Sequence, residues 1–158
     1  DRLAAIAHEL ARTVPGATVG WVGGRPSGAD ADWVEAVDPV RWFAAREDPW
    51  SLVADASVVV VPSREDPLPL VALEAGERGI PVVATPTGGL PDLLGGGRGY
   101  VAGSHDLREL CALVRDALED RDEAAARGRA LQTYVRRHHM PEAVAPTWLS
   151  VLDEAAAR

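Results

Sequence analysis

The feature that most constrains the fold is a run of four valines at residues 58–61, inside the segment SVVVVPS. β-branched side chains favour extended backbone, and an uninterrupted apolar run is typical of a strand that is covered on both faces. Strands of this kind belong mostly to parallel sheets with helices packed on either side. The run therefore predicts the most buried strand of an α/β protein.

The segments around this run supply the other elements of such a sheet. Further strands are predicted at about residues 17–22, 40–45, 80–86 and 98–103. Helices are predicted at residues 2–13, 48–54, 69–78, 106–120 and 122–138, and from residue 141 onwards. Asp106 and Glu109 have the spacing of a capping box. A short helical turn is expected within the loop at residues 88–97.

Strands and helices alternate at the spacing of βαβ units, which predicts an α/β fold in a single domain over residues 1–158. We expect a Rossmann-like parallel sheet of about five strands with helices on both faces, followed by C-terminal helices. The chain opens on a helix that would ordinarily follow a strand. We therefore expect the first strand of the sheet to be missing from this sequence.

Composition excludes several classes of function. The net charge is −8 and the sequence contains no Lys, which argues against binding to a nucleic-acid backbone. The single cysteine, Cys111, excludes a disulfide framework and a zinc cluster, and we expect it to be a buried, inert thiol. No apolar run reaches the length of a transmembrane helix. These features predict a cytoplasmic location.

Glu74 stands out because apolar residues surround it in the segment REDPLPLVALEAGER at residues 64–78. We predict that its carboxylate shares the buried stripe of a helix, where a charge requires hydrogen-bond donors. The loop before this helix leaves the strand that we expect to be the most buried, at its carboxyl end, where parallel sheets bind ligands. We expect the N–H groups of Leu70, Val71 and Ala72 to point at an anion there.

Asp66 lies on that loop, eight residues before Glu74. Two acids at this spacing can bracket a polyhydroxylated, phosphorylated molecule, with the helix amides between them for the phosphates. Two other interpretations remain open from the residues alone. In the first, the charged segment at residues 63–66 is only a solvated turn. In the second, Glu74 forms an ion pair with an Arg of a neighbouring helix.

The segment VVVVPSREDPLPLVALEAGERGIPVVATPTGGLPDLL resembles the donor-binding half of retaining glycosyltransferases of family 4, which have the GT-B fold. The resemblance includes the strand, an acid pair of the E-x7-E type, the helix and strand around LEA and PVVA, and a Gly-Gly-x-Pro-acid loop. It extends in order and spacing over about residues 17–118. It implies transfer of a sugar from a nucleotide-diphosphate sugar to an acceptor hydroxyl, with retention of configuration.

The resemblance also implies roles for individual acids and amides. Glu74 would hold the ribose hydroxyls, and the amides of Leu70 and Val71 would meet the diphosphate. Asp66 stands where the family usually has Glu and would contact the donor sugar, a role that Glu65 takes if the register changes.

Loops and cations complete the site that the resemblance implies. The loop at residues 45–47, with Arg46 at its centre, would lie near the base. Gly88 and Gly89 would let the chain approach the donor. The alternative interpretation is a flexible turn before Pro91, which explains Gly89 taken alone equally well. Arg64 and Arg98 are the remaining cations near the expected site, and surface solvation is the alternative interpretation for both.

The same resemblance implies that this chain is a fragment of a two-domain enzyme and is inactive by itself. The family's diphosphate-binding Arg and Lys follow the strand that we expect to be missing, and the N-terminal domain that shapes the acceptor site is absent. Any peripheral membrane contact would come through that domain. No metal cofactor is implied, because Asp30 and Asp32 are interpreted as helix-capping residues in a loop.

Two alternative functions remain, a non-catalytic module for protein interaction and a nucleotide-sugar 2-epimerase-like enzyme. An epimerase would need further catalytic acids and a His in the cleft, and the sequence offers no such constellation. The base, the sugar and the acceptor are not identified by the sequence.

Overall fold

Strands and helices alternate along the computed structural model, which describes residues 2–23 and 40–157. The strands are β1 (Val19–Val22), β2 (Val40–Phe43), β3 (Val59–Val61), β4 (Val82–Ala84) and β5 (Tyr100–Val101). The helices are α1 (Arg2–Thr13), α2 (Leu70–Glu77), α3 (Leu90–Leu94), α4 (Leu107–Glu119), α5 (Arg121–His138) and α6 (Pro141–Ala156), with a 3-10 turn at Trp50–Leu52. The predicted order and type of these elements are confirmed. The predicted capping role of Asp30 and Asp32 lies outside the described residues.

All the described strands pair in parallel, but they form two sheets instead of the single sheet expected from the sequence. β1 pairs with β2, with Val19 opposite Val40. The second sheet has the order β3-β4-β5. Within the described residues, β1 and β3 each have one strand partner, so backbone hydrogen bonds do not join the two sheets. The parallel α/β class is confirmed, and the connection between the sheets is made by side-chain packing.

Helix α1 provides that packing. Its buried Ile6 and Leu10 share an apolar cluster with Val83 of β4. Its buried Ala7 packs with Val40 of β2 in a second cluster. The helical spacing of these residues gives α1 one apolar face, and that face covers parts of both sheets.

Strand β4 is buried on both faces and is the most buried strand, whereas β3, which the valine run predicted to be the most buried one, has Val59 and Val60 only half-buried. Val82 and Ala84 belong to a cluster that includes Leu131 of α5, whereas Val83 belongs to the opposite cluster with Leu110 of α4. This alternation follows from the two-residue period of a strand. Cys111 lies in the second cluster, and burial raises the pKa of its thiol, as expected of an inert cysteine.

The start of α4 differs from the predicted capping box. Asp106 accepts a hydrogen bond from the N–H of Arg108 and so caps the helix. Glu109, however, accepts from the N–H groups of Gly103 and Ser104, and from the Ser104 hydroxyl, instead of from Asp106. The N–H of Asp106 donates to the Ser104 hydroxyl. The tight turn before the helix thus brings other donors to the Glu109 carboxylate.

Two glycines allow α5 to lie close to the α2 region. A Cβ on Gly76 would be 2.8 Å from Cγ of Leu131. A Cβ on Gly128 would collide with the carbonyl of Gly79, which follows α2. Small residues at these positions therefore fix the position of α2, which carries the candidate site.

Across the described ranges, no helix is both long enough and apolar enough to cross a membrane.

Candidate functional site

Two loops meet at the carboxyl ends of β3 and β4, and buried threonines join them. Thr85 and Thr87 follow β4 and are buried. Both hydroxyls donate to the carbonyl oxygen of Ser63 after β3, at 2.6 Å from Thr85 and 2.8 Å from Thr87. A carbonyl oxygen has two lone pairs and can accept both bonds. The start of the loop that carries Asp66 is therefore held by side chains of the neighbouring strand's loop.

Gly88 fits against the middle of the same loop. Its φ is +51°, and a Cβ there would collide with the carbonyl oxygens of Asp66 and Pro67. The N–H of Gly89 donates to the Pro67 carbonyl at 2.7 Å. The glycine at position 88 is thus required by the close approach of the Asp66 loop, and the predicted approach of a donor to Gly88 and Gly89 stays a prediction. Asp66 itself is half-buried, whereas Glu65 is exposed.

The start of α2 presents open backbone donors. The side chains of Leu70 and Val71 are 70% and 40% exposed. Within residues 2–23 and 40–157, their N–H groups have no hydrogen-bond acceptor. The N–H of Ala72, by contrast, donates to the Pro69 carbonyl at 3.0 Å. The prediction of three amides directed at an anion is therefore wrong for Ala72, and the structure leaves two.

Glu74 does not lie in a buried stripe, so that prediction is wrong. The buried residues of α2 are Ala72, Ala75 and Gly76, which face the core and α5. Glu74 is exposed, and it is four residues from the exposed Leu70, which places both on one face of the helix. The tight packing against α5 admits only small residues, so the larger side chains Leu70 and Val71 face outward.

The Glu74 carboxylate binds an indole. Nε1 of Trp50, at the start of the 3-10 turn, donates to Oε2 of Glu74 at 3.2 Å. The guanidinium carbon of Arg78 lies 4.7 Å from the centre of the Trp50 ring. Arg78 donates to the carbonyl of Glu74 at 3.0 Å, and its ion pair is with Glu77. The interpretation of Glu74 as the ion-pair partner of an Arg in a neighbouring helix is therefore wrong.

The candidate cations have different surroundings. Arg64 is exposed. The pKa of Arg2 is lowered, first by its own burial and second by the positive charge of Arg64. Arg2 begins α1 and donates to the His105 carbonyl at 2.8 Å, after β5. Both guanidinium groups therefore lie at the carboxyl edge of the second sheet, on the side of the Asp66 loop.

Arg98 is engaged at the end of α3 instead of the site. It donates to the carbonyls of Leu93 and Asp92 at 2.8 Å and 2.6 Å. Its guanidinium carbon lies 4.0 Å from the centre of the Tyr134 ring. These contacts hold Arg98 at α3, with its side chain only partly exposed to solvent.

The loop after β2 carries Arg46 on the surface. Arg46 and its neighbours Ala45 and Glu47 are exposed. In the part of the chain that the structure describes, none of them makes a hydrogen bond or an ion pair with Asp66 or Glu74. Their predicted place near a base stays a prediction.

Two cavities lie outside the start of α2. A cavity of about 620 Å³ is lined by the charged residues Asp116, Glu119, Asp120, Arg121 and Asp122, where α4 meets α5. Since α4 runs back from the carboxyl end of β5, this cavity is at the opposite edge of the sheet. A second cavity of about 320 Å³ is lined by residues that include Asp48, Trp50 and Arg78. It lies beside the indole that binds Glu74, whereas Asp66 and Leu70 line neither cavity.

Sequence reasoning missed four residues that shape the site, Trp50, Arg78, Thr85 and Thr87. The two threonines follow a strand that is buried on both faces. Their hydroxyls are therefore expected to be buried too and to need hydrogen-bond partners, which the sequence could have indicated. Nothing in the local sequence signals the contact of Trp50 with Glu74, because the two residues are 24 positions apart.

The assembled site is suited to binding a ligand with an anionic part and hydroxyl groups. The two N–H groups at the start of α2, together with the helix dipole, favour an anion. Carboxylates accept hydrogen bonds from hydroxyls, and Oε1 of Glu74 has no donor within the described residues.

Comparison with known proteins gives a consistent family. The family described as "Glycosyl transferases group 1" matches residues 34–133. A glycogen synthase of Mycobacterium tuberculosis is 34% identical over 142 residues, covering 82% of this chain and 33% of the relative. A D-inositol 3-phosphate glycosyltransferase of Streptomyces avermitilis is 41% identical over 76 residues, covering 48% of this chain and 16% of the relative. The chain spans about a third or less of the length of these relatives.

Solved structures share the fold. Sucrose-phosphate synthase of Thermosynechococcus elongatus superposes with a TM-score of 0.83 and 25% identity, over 99% of this chain and 43% of the other. Alr3699/HepE of Anabaena, solved in complex with UDP, superposes with a TM-score of 0.83 at 22% identity, over 94% of this chain and 44% of the other. These are GT-B glycosyltransferases. The chain thus belongs to the group 1 glycosyl transferase family and has the α/β architecture of GT-B enzymes.

Proposed function

We propose that this chain forms the donor-binding part of a retaining glycosyltransferase, which moves a sugar from a nucleotide-diphosphate sugar to an acceptor hydroxyl. The observation that carries the proposal is the start of α2, where the N–H groups of Leu70 and Val71 lack acceptors within the described residues. Glu74 lies on the same exposed face of that helix. Family membership supports the choice of a nucleotide sugar as the ligand.

In this proposal each group of the site binds one part of the donor. The amides of Leu70 and Val71 hold the diphosphate, where the helix dipole adds favourable electrostatics. Glu74 accepts hydrogen bonds from the ribose hydroxyls through its open oxygen. Asp66 contacts the donor sugar from the loop that Gly88 supports. Arg46 and the loop around it lie near the base.

The leaving diphosphate gains negative charge as the glycosidic bond breaks, and groups oriented in advance stabilise that charge most effectively. The two amides at the start of α2, with the helix dipole, supply this stabilisation in the proposal. No metal cofactor is required if these groups carry the charge.

The proposal extends to a companion domain. The chain covers less than half of each solved relative, which supports a larger enzyme with an acceptor site elsewhere. Helix α6 exposes large apolar side chains, with Trp148 63% exposed, and this face suits contact with such a domain.

A cytoplasmic location belongs to the same proposal, since the single Cys111 is a buried free thiol. Residues 1–158 alone are then expected to bind nucleotide weakly and to transfer no sugar.

Calorimetric titration with UDP and with GDP tests the proposal, using Glu74→Ala and Glu119→Ala as a matched pair. Glu119 lines the cavity at the opposite edge of the sheet. We expect Glu74→Ala to weaken binding by about tenfold or more, because a charged hydrogen-bond acceptor is lost, and Glu119→Ala to leave it unchanged. Equal affinities for all three proteins, or no affinity of the unmodified protein for either nucleotide, would contradict it.

A further inference from the structure

We propose that Trp50 is a positioning residue for donor binding, because it holds the Glu74 carboxylate in one orientation. This inference rests on the proposed function of Glu74. Nε1 of Trp50 donates to Oε2 of Glu74 at 3.2 Å, from a segment 24 residues away in the chain. An indole N–H can donate a hydrogen bond but cannot accept one. It therefore binds a carboxylate oxygen and does not compete with that carboxylate for the hydroxyl donors of a ligand.

The indole that makes this contact is fixed by its own surroundings. The backbone N–H of Trp50 donates to Oδ1 of Asp48 at 3.1 Å, which sets the start of the 3-10 turn. The ring packs against the apolar cluster that contains Ile80. Its other contact is the Arg78 guanidinium, 4.7 Å from the ring centre. The N–H is therefore aimed before any ligand arrives.

Arg78 closes the set of contacts around α2. Its Nη1 atom donates to the carbonyl of Glu74 at 3.0 Å and to Glu77 at 2.8 Å. One guanidinium thus links the backbone of Glu74 to the ring that binds the Glu74 side chain. Arg78 binds the Glu74 backbone, Trp50 binds the Glu74 carboxylate, and the Arg78 guanidinium packs on the Trp50 ring.

The consequence lies in the geometry of the remaining oxygen. Glu74 is exposed, and an exposed glutamate without partners samples several rotamers. With Oε2 bound to the indole, Oε1 has no donor within the described residues and is left for ligand hydroxyls. A carboxylate that is oriented before binding loses less conformational entropy when the ligand arrives. Trp50 therefore raises affinity without touching the donor.

The test compares Trp50→Phe with Trp42→Phe in the full-length polypeptide that contains this chain. Phenylalanine keeps an aromatic ring beside Arg78 and removes the N–H donor together with part of the indole's bulk, which the same substitution at Trp42 controls for. Trp42 packs near Trp21 on the other sheet, with ring centres 6.3 Å apart, and is the matched control. We expect Trp50→Phe to weaken binding of the preferred nucleotide, UDP or GDP, by about three- to tenfold, and Trp42→Phe to leave it unchanged.

Two further measurements separate positioning from a structural role. Binding of the 2′,3′-dideoxy form of the same nucleotide should not respond to Trp50→Phe, because Glu74 then has no ribose hydroxyls to bind. The loss in Trp50→Phe should also disappear in a Glu74→Ala background, which has no acceptor for the indole N–H, as expected for residues that act through each other. Equal loss for both nucleotides, or a full loss in the Glu74→Ala background, overturns the positioning role.

The outcomes also distinguish this inference from the proposed function. If the unmodified protein binds neither UDP nor GDP, the proposed function fails and the role of Trp50 fails with it. If the unmodified protein binds and Trp50→Phe binds equally well, only the positioning role is overturned.

Discussion

The hydroxyl of Thr87 donates to the carbonyl of Ser63 at 2.8 Å, and this bond joins the loops that follow two neighbouring strands. Thr87 is buried, and the backbone of Asp66 packs closely against Gly88, which directly follows Thr87. The position of the Asp66 loop therefore depends on residues that would not touch a ligand themselves.

Replacing Thr87 by valine should lower the free energy of unfolding by about 1 kcal/mol, because a buried hydrogen bond is lost from a side chain of similar shape. Urea denaturation measures this change. Thr133→Val is the control, since Thr133 is exposed and bonds within its own helix at Arg129. An unchanged midpoint in Thr87→Val would mean that the Ser63 carbonyl is satisfied by Thr85 alone.

Replacing Gly88 by alanine should destabilise the protein more than Gly97→Ala does. Both glycines have a positive φ, +51° at Gly88 and +79° at Gly97, so both substitutions incur backbone strain. Only Gly88 has the Asp66 and Pro67 carbonyls where the new methyl group would lie, whereas Gly97 has open space. We expect an additional loss of roughly 1–3 kcal/mol and weaker nucleotide binding in Gly88→Ala. Equal stability of the two variants contradicts the packing argument.

The turn before α4 should make stability depend on pH through Glu109. The Gly103 N–H and then the Ser104 hydroxyl lower the pKa of the Glu109 carboxyl below its usual range. A carboxylate with a lowered pKa in the folded state stabilises the protein above its unfolded pKa, and this contribution is lost as the pH falls through the folded pKa.

Glu109→Gln should therefore be less stable than the unmodified protein at neutral pH, and the difference should shrink on acidification. Urea midpoints at neutral pH and at about pH 3 compare the two proteins across this transition. Glu119→Gln is the control, because Glu119 has only a 3.9 Å contact with Arg115. A difference that stays constant with pH would show that the Glu109 bonds do not depend on its charge.

Nucleotide affinity should not depend on a divalent cation if the backbone amides at the start of α2 hold the diphosphate. Calorimetry with UDP and GDP in excess EDTA, and again in excess Mg²⁺, should give affinities within about twofold of each other. A gain of tenfold or more with Mg²⁺ would overturn the metal-free proposal and place the metal on the diphosphate.

The spacing of apolar residues and the positions of Gly and Pro predicted the elements well. Strand β4 is buried on both faces, and β3 packs against an apolar cluster on each face, which favours valines in both strands. The same reasoning mispredicted Glu74, since a flanking run of apolar residues does not tell which face of α2 is buried. That face is decided by the packing of α5, because Gly76 of α2 allows Leu131 of α5 to approach closely. The Trp50 contact was equally inaccessible, because a hydrogen bond across 24 residues depends on the tertiary fold.

The division of the strands into two sheets has a consequence for how the protein opens. β1 and β2 are attached to the rest through the apolar contacts of α1, without ladder hydrogen bonds to β3 in the described residues. Local opening releases the least strongly attached unit first. Backbone amides of Val19–Val22 should then exchange with solvent before those of Val82–Ala84. The start of α2 belongs with the more slowly exchanging unit, so it would keep its shape while the first sheet detaches.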